Sequence, residues 1–155
     1  MKSLYKLLIF LFIFLPSTIT TIHANEIFKH LNIDHGLAHT DANCLAQDST
    51  GLIWIGTFAG LQSYDGYTLE TFDYYPQGHK VYESHNRIRA IVCNKNRMWL
   101  GTESGLTCFD LNTHRYIPYY IEDEKLSIQL RATVTDLFIA PDGCHLWIRT
   151  PQEII

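Results

Sequence analysis

The 155-residue sequence is poor in the residues that carry chemistry or break structure: four Cys, two Met, nine Gly and five Pro, with only 18% charged side chains. Cys44, Cys93, Cys108 and Cys144 are unclustered and lack the paired spacing of a zinc site. They read as buried, unpaired thiols rather than as a metal site or a disulfide framework. Twelve Lys and Arg oppose sixteen Asp and Glu, for a net charge of −4, and no stretch gathers the cations into a stripe that could track phosphates. Nucleic acid is thereby excluded as a partner of this segment. No Gly-rich phosphate loop occurs, and no carboxylates recur at the separation a glycosidase needs. The longest apolar run covers residues 7–15, nine residues against the roughly 20 that cross a bilayer. What the chain does hold is aromatic: three Trp, nine Tyr and eight Phe, within 46% hydrophobic residues. That balance supports a core and suits half-buried strands better than a helix bundle.

Lys2 and Lys6 precede the apolar run, Pro16 and a polar stretch follow it, and Ala24 supplies a small residue for cleavage. Residues 1–24 therefore read as a secretory signal peptide, and the remainder as an exported chain. Removing them takes away two lysines and no acid, so the net charge moves from −4 to −6.

The rest is organised by a repeat. Ile53-Trp54-Ile55-Gly56-Thr57, Met98-Trp99-Leu100-Gly101-Thr102 and Leu146-Trp147-Ile148-Arg149-Thr150 place tryptophans 45 and 48 residues apart. Gly60-Leu61 and Gly105-Leu106 follow the first two at the same distance, and Tyr64-Asp65 and Phe109-Asp110 coincide as well. Before each tryptophan an alternating apolar stretch ends in a polar turn, such as Asp48-Ser49-Thr50-Gly51 or Pro141-Asp142-Gly143. Each unit predicts four short strands, in the first at 42–47, 52–57, 61–64 and 69–74. Four-stranded meanders repeating at about 45 residues are the pattern of β-propeller blades. The expected fold is all-β: a partial β-propeller of two four-stranded blades plus the first half of a third, after a signal peptide. The expected boundaries are a lead-in at 25–40, blade 1 at 41–85, blade 2 at 86–132 and a truncated blade 3 at 133–155, with 75–85 and 122–131 as links.

The recurring tryptophan is expected to pack between blades, and the glycine two residues later to admit a neighbouring backbone. Arg149 replaces that glycine in the third unit, marking an irregular blade or a binding position. A closed ring needs about 4 to 8 blades. A chain with two units and half of a third is therefore expected to be a fragment of a longer protein.

These residues resemble the amino-terminal end of the periplasmic sensor region of hybrid two-component regulators, built from two-component regulator propeller repeats. The matching text is Phe28-Lys29-His30-Leu31 with Gly36-Leu37, then the run from Gln47-Asp48-Ser49-Thr50-Gly51 through Trp54-Ile55-Gly56-Thr57, then Gly60-Leu61 and Tyr64-Asp65-Gly66. The resemblance implies a parent in which propellers, an immunoglobulin-like domain, one membrane span, a histidine kinase, a receiver and a DNA-binding domain follow in order. It further implies a dimer, in which the propellers sense oligosaccharide from the periplasm and signal across the inner membrane. Only the sensing end is expected here, with no catalytic, cofactor or metal residue and with the ligand-binding residues unassigned. Ser84-His85-Asn86-Arg87 is a poor phosphoacceptor box, because Asn86 stands where an acid is needed and no proline follows closely.

Other classes fit less well. Ala46, Asp48, Thr50, Gly51 and Trp54 come near the docking motif of quinoprotein propellers, but with one residue too few between Asp and Gly. The sialidase-type Asp box fails on the same spacing. His30, His35 and His39 lie close together, but the i, i+4 pair His35 and His39 would converge on a metal only from a helix, which Gly36 opposes, and Asp34, Asp41 and Asp48 lack calcium-loop spacing. A self-assembling module that completes its ring with further copies is the remaining alternative. Tyr64, Tyr67, Tyr74 and Tyr75 serve strand packing as readily as ligand stacking.

Overall fold

Short apolar alternations separated by Asp- and Gly-bearing turns leave each segment one option, pairing with its neighbour in sequence, and that is the topology formed. The computed structural model describes residues 29–74, 85–119 and 121–155. The chain divides into Met1–His30 and Leu31–Ile155, and the architecture described is that of the second unit. The expected signal peptide, Tyr75 and most of the first link lie outside the described residues.

The first sheet is an antiparallel meander of β1 (Ala42–Gln47), β2 (Ile53–Thr57), β3 (Gly60–Tyr64) and β4 (Leu69–Phe72). The second repeats it with β5 (Ile88–Asn94), β6 (Arg97–Thr102), β7 (Gly105–Asp110) and β8 (Arg115–Ile117). A hairpin of β9 (Asp136–Ile139) and β10 (Leu146–Arg149) follows. The first strands stand side by side in the order β1, β5, β9, as the inner strands of successive blades do. The propeller-blade expectation is met in both complete sheets.

Register is the same in each unit. Trp54 lies opposite Ala46, Trp99 opposite Val92, and Trp147 opposite Phe138. In β1 and β5 an irregularity falls just after Ala42 and Ile88, each of which pairs with the threonine of its own second strand, Thr57 or Thr102. The third unit goes further than a hairpin. Ile148 and Ile155 exchange backbone hydrogen bonds of 2.8 Å, and Arg149 bridges to Ile154 as Gly56 pairs with Leu61 and Gly101 with Leu106.

The link at 122–131, for which no element was expected, carries the helix α1 (Glu124–Gln129), started by Asp123, whose carboxylate accepts from the Leu126 amide at 2.9 Å. The fourth strand of the first blade ends at Phe72, not at residue 74. Among the described residues no helix is long and apolar enough to cross a membrane.

The core is distributed between the sheets. Trp54, Leu61, Ile88, Met98, Leu100 and Phe109 are buried together where the first blade meets the second. Ala90, Leu106, Leu130, Val134, Leu137 and Ile148 do the same where the second meets the third.

Candidate functional site

Three features recur at the seams and could serve a ligand or a partner: the tryptophan, the glycine two residues after it, and the turn that follows. Trp54 is fully buried, edge-on to Phe109 at 5.3 Å and to His114 at 5.4 Å from the second blade. Its indole N–H donates to Asp48 Oδ2 at 2.8 Å. Asp48 also accepts from the Thr50 hydroxyl and from the amides of Thr50 and Leu52, closing its turn. Partial burial pushes that carboxyl up, but these hydrogen bonds together hold it below its ordinary range. Trp99 is only partly buried, with Tyr119 at 5.4 Å, and Trp147 is 52% exposed. Packing between blades thus describes the first tryptophan fully, the second in part and the third not at all, because no described blade lies beyond Trp147.

The glycine does not chiefly admit a neighbouring backbone. A Cβ on Gly56 would strike Cys44 Sγ and come within 2.6 Å of Ile88 Cγ2. At Gly101 it would come within 2.6 Å of Val134 Cγ1. Each glycine is a notch filled by an aliphatic side chain of the next unit, Ile88 at the first residue of β5 and Val134 two residues before β9. Arg149 stands in the third notch position, exposed, with Nε 3.4 Å from Thr135 Oγ1.

After the notch comes a threonine that closes the turn. Thr57 Oγ1 donates to Gly60 O and accepts from the Ala59 amide, and Thr102 does the same with Gly105 and Ser104. Thr150 repeats the pattern with Glu153 and Gln152, although glutamate replaces glycine there. Beside these turns runs a polar row across the blades. Glu103 accepts from Arg89 at 2.6 Å and Arg87 at 3.3 Å, and both guanidinium groups lie against the Phe58 ring, at 5.5 and 5.9 Å. Thr133 of the third unit donates to the Glu103 carbonyl at 3.1 Å. The Arg89 hydrogen bond leads in holding the Glu103 carboxyl below its ordinary range.

The residues weighed from sequence fall in separate places. His35 ends a short 3₁₀ turn (Ile33–His35) and bonds to Asn32, while His39 sits 3.8 Å from Asp41. Among the described residues no three metal-ligating side chains converge. Tyr64 donates to Gly66 O, Tyr67 is exposed, and Tyr74 stacks on His85 at 5.4 Å. The four cysteines are unpaired, but they are not all buried: Cys144 is exposed. Burial pushes the Cys44 thiol up to about 12 and Cys93 up to about 11, so neither is a nucleophile near neutrality. Sequence reading missed the Phe58, Arg87, Arg89 and Glu103 cluster, whose only signal was an arginine pair at i and i+2.

An apolar cleft of about 510 Å³ lies on the outer side of the second seam, lined by Trp99, Leu106, Tyr119, Leu130, Ile148 and Ile155.

Residues 36–59 match the two component regulator propeller family. Histidine kinase P4 of Formosa agariphila is 29% identical over 77 residues, which are 50% of this chain and 6% of that protein. The fold resembles the extracellular domain of BT3049 from B. thetaiotaomicron, described as a hybrid two component system. The TM-score is 0.65 and the identity 24%, over 77% of this chain and 17% of the other. It also resembles the extracellular domain of BT4673 from the same organism, described as a one component system, with TM-score 0.50 and 18% identity over 70% and 13% of the two chains. The chain thus spans a small part of each protein it matches. The two-component regulator propeller reading of the sequence is borne out by the matched repeat and by the shared fold.

Proposed function

We propose that this chain is the N-terminal part of the ligand-sensing propeller of a hybrid two-component sensor, exported by residues 1–24 and working in the periplasm. The reading rests on one observation above the others: the family match at residues 36–59 falls in the first of two complete four-stranded blades that, with the hairpin after them, join through apolar seams. Ligand is sensed by the whole propeller, of which these residues supply the first blades, and the signal passes to a histidine kinase outside this chain. The parent works as a homodimer anchored in the inner membrane. The ligand class is an oligosaccharide, for which the Phe58 ring and the Arg87, Arg89 and Glu103 row offer an aromatic face beside hydrogen-bonding groups, the mixture that polar, hydroxyl-rich ligands require. This segment performs recognition and no catalysis. The polar row holds its one carboxylate between two guanidinium groups, an arrangement suited to a fixed contact rather than to proton transfer.

The test uses the complete reading frame that contains these codons. Its periplasmic propeller, mixed with a panel of oligosaccharides, should show a rise in melting temperature with one saccharide class, and that saccharide should be recovered unchanged. No stabilisation by any member, or turnover of the saccharide, would count against the sensor reading.

A further inference from the structure

The polar row between the first and second blades carries more positive charge than its own carboxylate balances. Arg87 and Arg89 flank Ile88, whose side chain is fully buried against Gly56 and whose carbonyl accepts from Asn43 Nδ2 at 3.1 Å. That anchor fixes the backbone between the two arginines, and both guanidinium groups lie against the Phe58 ring of the first blade. Glu103 is held as firmly. Its amide donates to the Arg87 carbonyl at 3.2 Å, and its carbonyl accepts from the Thr133 hydroxyl at 3.1 Å. The row is thus set in place by the fold before any ligand arrives, which is what tight recognition requires.

The hydrogen-bonding capacity left over is of one kind. Each Glu103 oxygen takes one terminal nitrogen, from Arg87 or from Arg89, and among the described residues this carboxylate is the only hydrogen-bond partner either guanidinium has. A guanidinium carries five N–H donors in a planar fork, so most of the donors on this pair are unused. They are also reachable: the Arg87 and Arg89 side chains are 45% and 38% exposed, while Glu103 is 22% exposed. Two cations against one anion leave one positive charge in surplus, in a chain whose net charge is −4. Asp41, the next nearest carboxylate, lies 3.8 Å from His39, whose ring is 5.9 Å from Phe58. A neutral sugar presents hydroxyl groups that both donate and accept, and needs both kinds of partner. Spare donors with a surplus of positive charge suit a group that only accepts, a carboxylate or a sulfate.

We propose that Arg87 and Arg89 together hold an anionic substituent of the sensed oligosaccharide, a ring carboxylate or a sulfate ester, so that the ligand is an acidic saccharide. The inference rests on the sensor reading above and names the ligand class of the same site. Phe58 and Glu103 are positioning residues: they orient the two forks, and the Glu103 charge opposes the incoming anion.

The test uses the full product of the reading frame that contains these codons. Each acidic saccharide of the panel is offered beside its neutralised counterpart, the carboxyl-reduced form of a uronic-acid oligosaccharide or the desulfated form of a sulfated one, and affinity is read by titration calorimetry. An acidic member should bind at least about tenfold more tightly than its counterpart, with affinity that falls as salt is added. Which pair shows the difference tells carboxylate from sulfate. Arg87→Gln and Arg89→Gln should each weaken that binding roughly tenfold, and Glu103→Gln should tighten it severalfold by removing a like charge. The melting temperatures of the unliganded variants check that each is folded. Equal affinity for an acidic saccharide and its neutral counterpart, or arginine variants that bind as the wild type does, would overturn the inference and leave the sensor reading standing. Weaker binding by Glu103→Gln would also overturn it, since the carboxylate would then be a contact of the ligand. No binding by any member, acidic or neutral, would remove the sensor reading and this inference with it.

Discussion

Trp54 and Trp99 hold the same position in successive blades, yet their surroundings differ in a way that explains much of the molecule. Trp54 meets a complete neighbouring blade. Phe109 from that blade's third strand and His114 from its outer turn close over the indole, and Asp48 satisfies its N–H. Trp99 meets a hairpin with the beginning of a third strand, together with Leu130 and Val134 from the segment leading into it. It keeps one side open to the apolar cleft. Inner strands thus suffice to place a blade, through the glycine notch, whereas burial of the tryptophan needs the outer strands of the blade that follows. A repeat unit in this array is completed by its successor, which is the general condition of stacked repeats.

The largest test of that difference is truncation of the tryptophans. Trp54→Ala should cost about 3–5 kcal/mol in urea unfolding, because it empties a fully buried aromatic site. Trp147→Ala should stay within about 0.5 kcal/mol, and Trp99→Ala should fall between the two. Equal losses at all three positions would break the comparison. Filling the notches comes next. Gly56→Val should destabilise by about 1–3 kcal/mol through overpacking against Cys44 and Ile88, while Arg149→Gly should be nearly neutral, as read from urea midpoints.

A smaller effect is expected from the turn carboxylate. Asp48→Asn should cost about 1–2 kcal/mol by weakening the bonds from Trp54 and Thr50. Because the folded protein holds this carboxyl below its ordinary range, its contribution is present above that range and fades as pH falls through the lowered value. The gap between wild type and Asp48→Asn should therefore narrow on acidification, and midpoints followed from neutral to acid pH will show it. Smallest is Glu103→Gln. Arg87 and Arg89 are partly exposed, so its loss should be under about 1 kcal/mol and shrink further in salt.

Much of this architecture was legible in the chain. The Trp, Gly and Thr spacing identified the blades, and the alternation before each tryptophan located β1 to its end residues. The helix α1 was less visible: its six residues are too few for a helical period to stand out from a link, and only Asp123 signals its start. The notch rule was hidden for a different reason. Irregularities after Ala42 and Ile88 shift each first strand by one residue, and the turns between first and second strands differ in length, so Ile88, Val134 and Ala42 do not align by counting. The exposure of Trp147 could not be read from its own repeat at all, since burial at that position belongs to the neighbour. The polar row of Phe58, Arg89 and Glu103 likewise crosses from one blade to the next, joining residues with no shared motif.

Peptide-resolved hydrogen exchange of the native chain addresses the central claim most directly, since it reads each seam separately. The account predicts strong protection of β2, β3, β6 and β7, which flank the sealed seam, and exchange at least about tenfold faster in β9 and β10, whose outer face is open. Uniform protection across the three units, or a hairpin protected as well as the first two blades, would contradict it.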